Sequence, residues 1–78
     1  MSVTEAAALL DYLAANGVEI RYAPTGAIGL PNGRTAFVWE RNGKIVVSHP
    51  PHGGLPETTY QRFKTRERAL QAIRAWTR

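Results

Sequence analysis

The side chains in this sequence that are best suited to acid–base or metal chemistry are two histidines in a proline-rich segment. His49 and His52 flank Pro50-Pro51. Imidazole titrates near neutral pH and acts both as a general acid or base and as a metal ligand. A structural zinc site needs four ligands, however, and the nearest further candidate is Glu57. The pattern therefore predicts no metal centre and no cofactor, and it leaves acid–base work by either histidine as an alternative.

No other catalytic arrangement is visible in the sequence. There is no cysteine, so thiolate nucleophiles and disulfides are absent. Gly53-Gly54 lacks the following lysine and the helix start that form a nucleotide-binding loop. The acidic residues are scattered without a close pair: Glu5, Asp11, Glu19, Glu40, Glu57 and Glu67. The sequence predicts a protein that is not an enzyme.

An aromatic and basic set of side chains surrounds the clearest turn signal. Asn42-Gly43 lies between two β-prone stretches, residues 34–41 and 44–49, and this dipeptide favours a two-residue type I′ turn. Such a turn fixes the register of the hairpin, with Trp39 opposite Val46. Side chains then alternate between two faces. One face is aliphatic, with Ala36, Val38, Ile45 and Val47; the other carries Phe37, Trp39, Val46, Arg41 and Lys44.

The exposure of the aromatic face depends on which side of the hairpin the helices cover. If they cover the aliphatic side, Phe37 and Trp39 face solvent beside two cations, which suits base stacking with phosphate attraction or a protein interface. In the alternative, both rings pack in the core against Leu10 and Ile73. The sequence leaves this choice open.

A second group of cations lies where the last strand meets the last helix. Lys64, Arg66 and Arg68 gather there, and a helix N-terminus favours anions. Because Glu67 lies among them, an ordinary solvated surface is the alternative. We predict that the helix arginines steer an anionic partner toward the aromatic face. The predicted binding residues are Phe37, Trp39, Arg41, Lys44, Arg66, Arg68, Arg74 and Arg78.

The elements that position these residues follow from periodicity and turn chemistry. Residues 3–16 have helical spacing, with a capping box at residues 2–5 and Asn16-Gly17 at the end. Residues 18–22 and 58–64 are predicted strands, and residues 27–30 are either a short strand or an irregular connection. Thr65 is predicted to cap a final helix whose apolar stripe contains Ala69, Leu70, Ile73 and Trp76.

This order of elements predicts one α+β domain over residues 1–78. Its antiparallel sheet has three to four strands, and an N-terminal and a C-terminal helix pack on one face. The chain has 44% hydrophobic residues and a formal charge of +4, which favours an anionic partner. Its longest apolar run, residues 6–10, is too short to span a bilayer. We expect a cytoplasmic monomer or homodimer that does not bind membranes.

Two family resemblances accompany this prediction. The order helix, three strands, helix resembles that of double-stranded RNA-binding domains, in which cations opening the second helix contact phosphates; Arg66 and Arg68 occupy that position here. The stretch VVSHPPHGGLPETT, residues 46–59, resembles the strand and turn before the last helix of HicA-type ribonuclease toxins. The second resemblance implies a ribonuclease. Those toxins use a histidine on an earlier central strand, and residues 34–41 contain none, so acid–base work would fall here to His49 or His52, whose imidazoles titrate near neutral pH.

The function predicted from the sequence is that of a small, non-enzymatic binding module or regulator. It would occupy a surface of a larger, anionic protein or nucleoprotein, as inhibitors encoded by phages or mobile elements, such as anti-CRISPR proteins, do. The first alternative is a domain that binds RNA or single-stranded DNA, and the second is a HicA-like ribonuclease.

Overall fold

A computed structural model describes residues 2–51 and 56–76, with side chains described from residue 7 onward. The elements are α1 (Ser2–Ala15), β1 (Glu19–Tyr22), β2 (Ala27–Gly29), β3 (Thr35–Arg41), β4 (Lys44–His49), β5 (Thr59–Phe63) and α2 (Arg66–Ala75), with a short 3-10 helix at Ala23–Thr25. The predicted α+β fold, with a helix, an antiparallel sheet and a second helix following one another along the chain, is confirmed. The segment that the sequence left open forms β2, so the described sheet has five strands.

The strands form a meander in which each strand pairs with its neighbour in the chain. Their order is β1-β2-β3-β4-β5, and all the pairs are antiparallel. The β3–β4 hairpin has the predicted register, with Trp39 opposite Val46. Asn42 and Gly43 both have positive φ, 52° and 75°, as a type I′ turn requires.

The helix ends also follow from local chemistry. Gly17 has a φ of 88°, and its backbone N–H donates to the carbonyl of Ala14, which ends α1 as predicted. Helix α1 begins at Ser2, and the side chains of the predicted capping box lie outside the described ones. At α2, the Thr65 hydroxyl accepts a hydrogen bond of 3.2 Å from the backbone N–H of Arg68, which confirms the predicted cap.

The core lies between one face of the sheet and the two helices. It contains Leu9, Leu10, Leu13, Val18, Ile28, Leu30, Ala36, Val38, Ile45, Val47, Ala69, Leu70 and Ile73. Burying a side chain of this size contributes roughly 1.5–3 kcal/mol, so this layer is the main source of stability. The aliphatic face of the hairpin is therefore the inner one. The alternative in which Phe37 and Trp39 pack against Leu10 and Ile73 is wrong.

Within the described residues, neither helix is long and apolar enough to cross a membrane.

Candidate functional site: the open face of the sheet

The face of the sheet that points away from the helices carries an aromatic and basic surface. Alternation along each strand, combined with the pairing register, determines which side chains lie there. We call this surface the open face. It consists of Glu19, Arg21, Tyr22, Ala27, Gly29, Thr35, Phe37, Trp39, Arg41, Lys44, Val46, Ser48, Tyr60 and Arg62.

Three aromatic residues of the open face lie on one line across the sheet. The register pairs Tyr22 with Ala27, Ala27 with Phe37, Phe37 with Ser48, and Ser48 with Tyr60. We call these five residues the aromatic row. Adjacent strands are about 4.8 Å apart, so successive aromatic positions are separated by about 10 Å. Tyr22 and Tyr60 are 59% and 54% exposed, whereas the small residues between the rings are buried.

A second line of open-face residues runs parallel to the aromatic row. It contains Trp39, Val46 and Arg62, which are paired across β3, β4 and β5. Trp39 is 41% exposed, although tryptophan side chains are on average highly buried. Beyond this line, Arg41 pairs with Lys44 at the hairpin turn, and both are exposed. The aromatic surface thus has a basic border on the side of the hairpin turn.

The charged side chains of the strands are distributed unequally between the two faces of the sheet. Every arginine and lysine within the described strands lies on it: Arg21, Arg41, Lys44 and Arg62. Of the two glutamates in these strands, Glu19 lies on the open face and Glu40 lies on the helix side. The cationic and aromatic side chains therefore share one surface, and the field there favours anions.

The end of the open face away from the hairpin turn is held by Arg21. Its guanidinium donates to the hydroxyl of Thr35 and to the carbonyl of Gly33, the latter at 3.1 Å. Its Nε lies 3.5 Å from Oε1 of Glu19, and both side chains pass over Gly29. The Arg21 side chain thus stabilises the Asn32-Gly33 turn. The other cations of the open face, Arg41, Lys44 and Arg62, make no described ion pair with a carboxylate.

Helix α2 packs on the other side of the sheet, so its arginines are separated from the predicted aromatic site. Arg66 binds Glu40, and Arg74 donates a 2.6 Å hydrogen bond to the carbonyl of Asn16. Arg68 is exposed and shares a shallow cleft with Arg62 and Lys64 at the β5–α2 junction. Arg78 lies outside the described residues. The structure brings together Phe37, Trp39, Arg41 and Lys44, but it does not place the helix arginines with them.

Glu40 and Arg66 join β3 to α2, and we expect this ion pair to contribute about 1 kcal/mol to stability. Both Nε and an Nη of Arg66 lie 2.9 Å from Oε1 of Glu40. The Arg66 side chain is 41% exposed, so solvent screening keeps the contribution modest. A double-mutant cycle with Glu40→Gln and Arg66→Gln, measured by urea unfolding, should show this coupling. Additive effects of the two substitutions would contradict it.

His49 lies on the helix side of β4 and not on the open face. It is only 2% exposed, and its ring stacks on Trp76 with centroids 3.9 Å apart and planes 19° apart. A general base must reach its substrate, and this imidazole has no direct access from solvent. His52 lies outside the described residues. Among the described residues, no three histidine, cysteine, aspartate or glutamate side chains come together to hold a metal ion.

Sequence reasoning missed Tyr22, Tyr60 and Arg62 as members of the surface. Strict alternation along the predicted strand of residues 18–22 would place Tyr22 on the same face as Ile20, but Tyr22 lies on the other face. A register shift between these two residues turns Tyr22 to the opposite face. For Tyr60 and Arg62, the strand was predicted from its composition, but the face on which they lie is determined by pairing with β4.

No model of a known protein family, no curated protein and no solved structure matches this chain. The resemblances to double-stranded RNA-binding domains and to HicA-type toxins therefore find no support in these comparisons, and the described sheet has five strands rather than the three of the first resemblance.

Proposed function

We propose that this protein is a small, non-enzymatic binding module that uses the open face to occupy a surface of a larger, anionic partner. The observation that carries the proposal is the exposure of Tyr22, Trp39 and Tyr60 on one side of a sheet whose other side is sealed by helices. A protein that covers a surface of its partner can regulate that partner, as small inhibitors do, and this requires no catalytic group.

The composition of the open face matches that of interface hot spots. Tryptophan, tyrosine and arginine dominate binding energy at protein surfaces because they combine a large apolar area with a polar end. Here these types stand on paired strands, so their positions are fixed by the sheet. A rigid surface loses little conformational entropy on binding, which favours affinity.

The charges of the open face support an anionic partner. Arg41, Lys44 and Arg62 make no described ion pair with a carboxylate, and Glu19 is the sole acidic side chain that the described strands place on this face. An acidic protein surface or a nucleoprotein would be attracted at long range and oriented toward the aromatic residues.

A pull-down from native lysate tests the proposal. The double variant Trp39→Ala/Tyr60→Ala removes two exposed rings without touching the core, and we expect it to lose the partner that the unchanged protein retains. Gln71→Ala, an exposed change on α2, is the matched control and should retain that partner.

Circular dichroism and urea unfolding should first establish that both variants are folded. A partner retained equally by the folded double variant and by the control would contradict the proposal.

A further inference from the structure

We propose that the ligand of the open face is single-stranded nucleic acid, whose bases stack on the aromatic row and on Trp39. This inference rests on the proposed function of the open face and names the class of its partner. It explains why aromatic and basic side chains lie together on an exposed sheet.

The spacing of the aromatic row suits separate stacking platforms. Tyr22, Phe37 and Tyr60 stand at every second strand, about 10 Å apart, with Ala27 and Ser48 between them. A spacing of about 10 Å between these backbone positions is wide enough for one base at each position. Open antiparallel sheets that carry aromatic side chains bind splayed single-stranded bases in this way.

The basic border lies where a phosphate backbone would need it. Neighbouring open-face lines are about 6.7 Å apart, because two residues separate them along each strand. Arg62 is one line from the aromatic row, and Arg41 and Lys44 are two lines from it. A strand whose bases rest on the rings would therefore run its backbone along these cations. Glu19 lies on the opposite side of the row, away from that path.

The arrangement of the cations favours nucleic acid over a protein partner. Arginine beside tryptophan and tyrosine also forms protein-interface hot spots, whereas lysine is depleted at such interfaces. On this sheet, Arg62, Arg41 and Lys44 all lie on the same side of the aromatic row, as a continuous phosphate backbone requires. Duplex nucleic acid fits poorly, since its bases are already stacked within the helix.

The test measures binding of oligouridine and oligothymidine of about ten nucleotides, a length within the range of single-strand sites on small domains. The protein contains two tryptophans, so in a Trp76→Phe variant excitation that selects tryptophan over tyrosine reports on Trp39 alone. Stacking of a base on Trp39 should quench this emission. Anisotropy of a labelled oligonucleotide with the unmodified protein gives a second measurement that does not depend on how well the variant folds.

We expect the single strand to bind at least tenfold more tightly than a duplex of the same length. The logarithm of the binding constant should fall with that of the salt concentration with a slope of about −2, because three cations each contact one phosphate of a single strand. Tyr60→Leu and Phe37→Leu should each weaken binding by about tenfold or more. Gln71→Ala should leave binding unchanged.

The outcomes separate this inference from the proposed function. If the oligonucleotides fail to bind at low salt, while Trp39→Ala/Tyr60→Ala still loses its partner from lysate, the partner is a protein. This inference is then overturned, and the proposed function stands. If binding is insensitive to open-face variants but is lost in Lys64→Glu/Arg68→Glu, nucleic acid binds at the β5–α2 cleft and the inference is overturned. Equal affinity for duplex and single strand also overturns it.

Discussion

Replacing Gly26 with alanine is expected to lower the free energy of unfolding by about 3 kcal/mol. Gly26 follows the 3-10 helix with a φ of 74°, and this left-handed conformation costs an alanine about 1–2 kcal/mol. The added Cβ would also collide with the carbonyl oxygen of Val38. Val38 cannot move aside easily, because its side chain is in the core and its backbone N–H donates a 3.0 Å hydrogen bond to the carbonyl of Gly26.

Gly33→Ala is the matched control for this prediction. Gly33 has a similar φ of 85°, but a Cβ there would meet no atom within 4 Å. The control therefore isolates the cost of the left-handed conformation, about 1–2 kcal/mol. Urea unfolding of both variants checks the difference. Equal losses of stability would show that the contact with Val38 does not constrain Gly26.

The second large effect is expected for His49→Ala, which should lower the free energy of unfolding by about 2–4 kcal/mol. The substitution removes a buried ring and leaves a cavity against Trp76, whose ring stacks on His49 at 3.9 Å. Ser48→Ala, the adjacent residue on the open face, is the control and should cost less than about 1 kcal/mol. Thermal and urea unfolding measure both variants.

A double-mutant cycle with Trp76→Ala then isolates the stacking energy, for which we expect about 0.5–1.5 kcal/mol. Zero coupling would contradict a packed His49–Trp76 pair.

The stability of His49→Ala also bears on the ribonuclease alternative. If His49→Ala removed an RNA-cleaving activity, unfolding would be the first explanation to exclude, and measured stability provides that test.

The parts of the fold that sequence predicts are those governed by local chemistry. Asn42-Gly43 determines the β3–β4 register because a two-residue turn with positive φ allows no other pairing. Thr65 caps α2 because its hydroxyl reaches the N–H three residues later. Strand β2 remained open because it has three residues and contains Gly29, so its identity depends on pairing with both neighbours.

The candidate site was predictable in part, for a similar reason. Phe37, Trp39, Arg41 and Lys44 share a face that follows from the hairpin register alone. The sequence could not decide whether this face was inside or outside, because either face offered apolar side chains to the helices. Tyr22 required a strand irregularity that alternation does not reveal. The arginines of α2 were grouped with the site by charge, whereas their positions follow from the face of the helix that packs on the sheet.

The separation of helices and open face into two layers determines how this domain can be attached to something larger. Both α1 and α2 pack on the same side of the sheet, and together they form the rear of the molecule. A fusion partner, a tether or a solid support joined through the helices would therefore leave the aromatic rings pointing outward. If the ligand is the proposed single strand, several copies displayed in this way would engage neighbouring segments of it, and the resulting avidity would exceed that of a single domain.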